Sequence, residues 1–291
     1  ATGNVMLPQP ISGDSSGGRM RVGGANWTYM TADNIYTGGT MVAGNLSLGN
    51  NTAAGSVQGA ITNNGTLAVN RSGVFVFTNT VSGSGNMTVY NNNTVSSPSV
   101  NLSGNLNANG AVFTNTTASF GGYAYVNNAT SLTIQDAASI TAGNVEEYGN
   151  ASLNIEGGTL TVLGNLYWGR DAGPTVNQSG GVFDLRGGIA QAPDSGNGGG
   201  SHSASYGPAS GHYTYNLTGG TFLSKTGWNS EPWGAFGWYY SDQLNWGGGM
   251  LQAAADISIN GALNFTGVNG SLTVNPAGFT VTFNLPAYYP G

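Results

Sequence analysis

One unit, written three times, constrains this chain more than anything else in it. Leu153-Asn154-Ile155 is followed by Gly157-Gly158 and then by Thr159-Leu160-Thr161-Val162. Further along, Val176-Asn177-Gln178 is followed by Gly180-Gly181 and Val182-Phe183-Asp184-Leu185. Tyr215-Asn216-Leu217 is followed by Gly219-Gly220 and Thr221-Phe222-Leu223. Looser copies are Leu132-Thr133-Ile134 with Ala137-Ala138 and Ser139-Ile140-Thr141, and Leu272-Thr273-Val274 with Ala277-Gly278 and Phe279-Thr280-Val281. A short alternating strand, a small-residue corner, a second strand and a polar turn, repeated about every twenty residues, are the signature of a solenoid.

Alternation sends Leu153, Ile155, Leu160, Val162, Phe183 and Leu185 to one face, and Asn154, Thr159 and Thr161 to the other. One unit has too little apolar surface to fold alone. Stacked on its neighbours, it pairs its backbone with the coils above and below and lines a continuous core. The glycine pairs suit corners, where φ is positive and side chains would crowd the next coil. The expectation is therefore an all-β, single-stranded parallel β-helix, or solenoid. Its coiling is expected to be right-handed, the default hand for parallel strands joined by crossovers. At about twenty-two residues per turn the chain holds about thirteen coils.

Three segments follow from this reading. Residues 1–33, with Pro8, Pro10 and two glycine pairs, read as an irregular N-terminal entry containing one or two strands. Residues 34–284 read as the solenoid, and 285–291 as a C-terminal tail. Two stretches break the period and read as loop insertions. Residues 189–213 are rich in Gly and Ser, and residues 225–249 in aromatics. Insertions in solenoids gather on one flank and often carry binding.

Composition narrows the function. Only 6% of the 291 residues are charged and the net charge is −6, which leaves no electrostatic footprint for nucleic acid. Between Asp33 and Asp136 the sole charged residue is Arg71. Glycine is abundant, at 50 residues, but has no Gly-X-Y period, so collagen is excluded. Cysteine is absent, which removes disulfides and thiolate metal sites. No apolar run reaches transmembrane length. The opening Ala-Thr-Gly-Asn-Val reads as a mature end left by removal of a signal peptide, so the expected location is extracellular or at the cell surface.

Two stretches resemble a known family. Asn34-Ile-Tyr-Thr-Gly-Gly-Thr-Met-Val-Ala-Gly-Asn-Leu-Ser-Leu-Gly49, then Ile61-Thr-Asn-Asn-Gly-Thr-Leu67 and Val81-Ser-Gly-Ser-Gly85, is similar to the autotransporter-associated β-strand repeat. The units of 152–223 resemble related repeats of large secreted bacterial proteins, and 246–283 resembles their closing segment. The resemblance implies a surface-exposed or released β-helix with no reaction of its own. The chain departs from a full autotransporter in lacking a C-terminal membrane barrel.

The residues capable of chemistry are scattered. Carboxylates do not gather as a β-helix polysaccharide lyase or hydrolase would need. Asp184 and Arg186 read as a surface ion pair. Glu146-Glu147 reads as an acid pair in a turn, without the Gly-Gly-x-Gly-x-Asp pattern of calcium-binding repeats. His202 and His212 have no third ligand at useful spacing. No cofactor, metal or catalytic residue is expected. The binding candidates are the aromatics of the second insertion: Trp228, Trp233, Phe236, Trp238, Tyr239, Tyr240 and Trp246. They either stack on sugar rings or a neighbouring subunit, or fold back over the solenoid flank as a satellite core.

The ends complete the reading. Phe279, Val281, Phe283, Tyr288 and Tyr289 form an uncharged, uncapped C-terminal edge, and such an edge invites further strands. The expected function is that of an extracellular structural protein whose partner is itself, polymerising head to tail into a filament or surface layer. The alternatives are an adhesin or carbohydrate-binding passenger that meets surface polysaccharide through the aromatic insertion, and, with less support, a polysaccharide-degrading enzyme. If Pro8, Pro10, Pro286 and Pro290 fold over their own edges, strand addition is blocked instead.

Overall fold

The computed structural model describes residues 3–13, 17–168, 173–191, 214–226, 228–229, 243–260, 263–265 and 272–284. These residues form strands, turns and bends, with no helix among them. The strands run parallel to their partners in successive turns, as the repeat predicts, and stack as a β-solenoid of about ten turns. The chain divides into two compact units, Ala1–Tyr125 with Thr130–Gly143, and Val126–Ala129 with Asn144–Gly291.

In the first unit the strands fall on three faces, the third beginning at Val76. The first face stacks Met20–Val22, Thr40–Val42, Ile61–Asn63, Val81–Gly83, Val100–Leu102 and residues 118–120. The second stacks Val5–Leu7, Trp27–Met30, Asn45–Thr52, Thr66–Arg71, Asn86–Val95 and Leu106–Thr114. The third runs through Val76–Phe77, residues 94–95, residues 111–114 and Ser131–Gln135. Leu46 pairs with Leu67, Leu67 with Met87, and Met87 with Leu106, one turn of the repeat at each step. These four side chains form one inward ladder, all fully buried. Asn91 and Asn92, at φ 59° and 55°, turn the chain from the second face to the third, a conformation that asparagine tolerates better than most residues.

This arrangement moves the start of the solenoid. The expected irregular entry already contains paired turns: Arg21 partners Met41, and Tyr29 partners Ser47. Residues 20–30 have the same alternation as the later turns, but the pattern is short and broken by glycines. That spelling conceals it in the sequence.

The second unit has the spelling of the sequence repeat. Ser152–Ile155, Thr175–Gln178, Thr214–Leu217, Gln243–Trp246 and Leu263–Asn264 form one face. Thr159–Val162, Val182–Leu185, Thr221–Ser224, Met250–Ala253 and Thr273–Asn275 form another. Leu153, Ile155, Leu160, Val162, Phe183 and Leu185 are all completely buried, as alternation requires. Between these faces lie the glycine pairs. Gly181 has φ 60°, and a Cβ there would sit 2.4 Å from the Gly158 carbonyl oxygen, so the coil spacing excludes a side chain. Two turns are long: from Val176 to its partner Tyr215, and from Tyr215 to its partner Leu244, the chain runs well past the ordinary period. Long turns consume chain, so about ten turns form where length alone predicts thirteen.

The pairings also trim the expected insertions. Ile189–Gln191 pairs with Leu166–Trp168, and Gln243–Trp246 with Thr214–Leu217, so the ends of both stretches belong to the solenoid itself. Residues 192–213 and 230–242 lie outside the described residues.

Candidate functional site

The last described turn of the second unit differs from those before it. Val281–Asn284 pairs with Ile257–Asn260, Thr273–Asn275 with Met250–Ala253, and Leu263–Asn264 with Gln243–Trp246. Among the described residues no strand pairs on the far side of these three. At these strands the described core column becomes exposed. One turn earlier, Trp246, Leu251 and Ile259 are 2%, 1% and 2% exposed; their successors Phe265, Val274 and Phe283 are 55%, 38% and 39% exposed. Phe265 stacks on Trp246 at 6.4 Å between ring centroids, Val274 partners Leu251, and Phe283 partners Ile259. These are inward-facing apolar residues with nothing described beyond them, an arrangement complementary to another layer of the same kind.

Of the assembly residues expected from sequence, Phe279 and Phe283 are exposed and Val281 is half-buried. Phe279 lies in the turn before the strand, its N–H donating to the Pro276 carbonyl at 2.8 Å, rather than in the strand itself. Tyr288 and Tyr289 lie outside the described residues. The charge at this end is occupied: the Asp256 carboxylate accepts a hydrogen bond from the Thr280 N–H at 2.7 Å.

The aromatic candidates separate. Trp246 is no surface residue. It is buried in the core column, where its backbone partners Leu217. Its place is legible after the fact, because Leu244-Asn245-Trp246, Gly248-Gly249 and Met250-Leu251-Gln252-Ala253 spell the repeat once more. Trp228 pairs its backbone with Ile259. Trp233, Phe236, Trp238, Tyr239 and Tyr240 lie outside the described residues.

The carboxylates have separate partners. Arg186 Nε donates to Asp184 Oδ2 at 2.9 Å, the surface pair expected from the sequence. Arg71 pairs with Asp33 at 3.3 Å and lies 4.1 Å over the Phe75 ring. Burial pushes the Asp33 carboxyl up, but the Ser56 hydroxyl, the Gly55 N–H and Arg71 together hold it below its ordinary value. Asp136 accepts from the Thr114 hydroxyl. No group of three or more His, Cys, Asp or Glu able to hold a metal occurs among the described residues.

Glu146 and Glu147 overturn the expectation of a turn acid pair. They end the strand Ser139–Glu147, with backbone partners Tyr167 and Trp168, and are 3% and 0% exposed. Val145 faces the core, so Glu147, two residues on, faces it too. Among the described residues neither Glu147 carboxylate oxygen makes a hydrogen bond of good geometry, and the Leu153 backbone lies near enough to interact with it. Desolvation by burial pushes this carboxyl up to about 8, and the nearby Leu153 backbone offsets only part of the effect. Glu146 is also raised by burial, with the Tyr148 side chain pulling the other way.

No family model matches the chain, and no solved structure matches it. A segment of 55 residues, 19% of this chain, is 44% identical to part of the adhesin BmaC autotransporter of Brucella suis biovar 1 (strain 1330). The matched segment spans 2% of that adhesin's length. Taken with stacked parallel turns, the likeness fits an autotransporter-passenger-like β-helix. No helix among the described residues is long and apolar enough to cross a membrane.

Proposed function

We propose that this chain is a non-enzymatic structural solenoid of the cell exterior that joins copies of itself head to tail, as a filament or a surface layer. The observation that supports this reading is the uncovered apolar end of the second unit, carried by Phe265, Val274 and Phe283. The first unit has a counterpart: its first described strand, Val5–Leu7, pairs with Trp27–Met30, and Val5 and Met6 are exposed. Two unlike apolar ends that meet make a heterologous contact, which propagates instead of closing. Secretion or surface display is in keeping with the likeness to the adhesin.

The test uses the full chain with Val274→Asp and Phe283→Asp combined. Both positions are already exposed, so the variant is expected to melt like the parent. Light scattering over a range of concentrations should show the parent growing in mass while the variant stays monomeric. A parent that remains monomeric at high concentration, or a variant that assembles as the parent does, contradicts the proposal.

The likeness to an adhesin is in keeping with a second reading, an adhesin or carbohydrate-binding passenger; the sequence offers Trp233 and Trp238 of the aromatic insertion for that contact. A glycan array comparing the parent with Trp233→Ala and Trp238→Ala decides it: lost signal supports this reading, and unchanged signal counts against it.

A further inference from the structure

The second face of the first unit has an outward side that neither reading uses. Along it Tyr29, Ser47, Ala68, Thr88 and Asn107 follow one another in strict register, one per turn. The next turn brings Tyr125: the Gly122 N–H donates to the Gly104 carbonyl, and the Tyr123 N–H to Asn105 Oδ1 at 2.8 Å. Each end of this row carries a pair of parallel rings. Trp27 and Tyr29 stack at 6.1 Å with 26° between planes, and Tyr123 and Tyr125 at 5.2 Å with 4°. Between the pairs lie five steps of about 4.8 Å, a separation of roughly 24 Å.

Ser47, Ala68 and Thr88 are nearly inaccessible, at 2%, 2% and 7%, so contact between the pairs falls on the row beside them. The row beside them, between Trp27 and Tyr123, consists of asparagine and threonine. Two of its amides are oriented by the backbone. Asn86 Oδ1 accepts the Asn105 N–H at 2.8 Å, and Asn105 Oδ1 accepts the Tyr123 N–H, which directs both Nδ2 donors away from those bonds. No residue of the two rows is charged, and Arg71, the sole charge in 34–135, is held by Asp33 and Phe75.

We propose that this face binds a neutral, extended polysaccharide laid along the stacking direction, with sugar rings against the two aromatic pairs and hydroxyls on the amide row between them. Rigid aromatic rings match the apolar faces of pyranose rings, and fixed amides match their hydroxyls. Charge complementarity selects the class: an uncharged face offers nothing to a uronate polymer, a nucleic acid or an anionic membrane. Two platforms on one rigid scaffold also set a length dependence, because only a chain reaching both gains from the second.

The experiment is affinity electrophoresis and calorimetry of the full chain with hydroxyethylcellulose, dextran and cellohexaose, and with polygalacturonate as the anionic comparison. At least one neutral polymer should bind, more tightly than its short oligosaccharide and with little salt dependence. Trp27→Ala with Tyr29→Ala, and separately Tyr123→Ala with Tyr125→Ala, should each weaken binding about tenfold and remove the advantage of length. Circular dichroism melts check that both variants fold. Leu163→Ala, at an exposed position of the second unit to which no role is assigned, should leave this binding unchanged. Absence of binding to every neutral polymer, binding indifferent to both aromatic pairs, or salt-sensitive preference for polygalacturonate overturns the proposal.

Discussion

Glu147 is the residue that most violates the rules of this fold, and it makes a pH prediction. Its carboxyl is fully buried with the Leu153 backbone near it, and burial raises it to about 8. Below the unfolded value of about 4.5 both states hold the proton, and the group costs nothing through ionisation. Between about 4.5 and 8 the unfolded chain releases the proton and the folded chain keeps it, so stability falls as pH rises. Above about 8 both are ionised and the full cost is present, on the order of 4–5 kcal/mol for a shift of this size. Glu147→Gln should therefore raise the melting temperature at about pH 8 and flatten its decline from about pH 5 upward. An unchanged slope would show that the group does not ionise differently on folding. The sequence did not disclose this residue, because Glu-Glu beside Tyr148-Gly149 has the spelling of a turn. Only the pairing of 145–147 with Leu166–Trp168 places it inside.

At the scale of elements, one strand position of the second unit does more than face solvent. Asn154, Asn177, Asn216 and Asn245 are stacked in register, and each later amide donates to the one before, at 3.0, 2.8 and 2.7 Å. Side-chain ladders of this kind fasten one turn to the next where the apolar core says little about register. Asn177→Ala removes the two bonds on either side of it and should cost about 1–2 kcal/mol, read from chemical denaturation. Asn150→Ala, at an exposed turn outside the ladder, serves as the comparison and should cost less. The recurrence of Asn in the middle of each unit was visible in the sequence. The long runs from Asn177 to Asn216 and from Asn216 to Asn245 were readable as turns carrying insertions, but where each insertion begins and ends was not. The inward leucines and the glycine corners were legible because each is dictated locally, by alternation and by positive φ. Register across long turns is dictated by stacking, which no local pattern records.

At the scale of the molecule, each unit is a stack whose stability is a sum of turns and of contacts between adjacent turns. The functional reading depends on the exposed apolar residues of the last described turn. Phe279 and Phe283 were singled out because charge disappears after Asp256 while apolar alternation continues, and both are exposed. Trp246 was misplaced because its aromatic neighbours resemble an insertion, whereas its own Gly-Gly corner belongs to the repeat. The alignment of the two aromatic pairs of the first unit was not legible at all. Trp27-Thr28-Tyr29 and Tyr123-Ala124-Tyr125 stand far apart in the sequence, and parallel stacking sets them on one face.

The central claim is that turns continue from one copy to the next, and electron microscopy of the assembled full chain tests it most directly. Filaments should form, with a repeat of about 4.8 Å running parallel to their axis and β-columns unbroken across the subunit boundary. Discrete monomers at every concentration, or filaments whose strand repeat stops at each boundary, would contradict it.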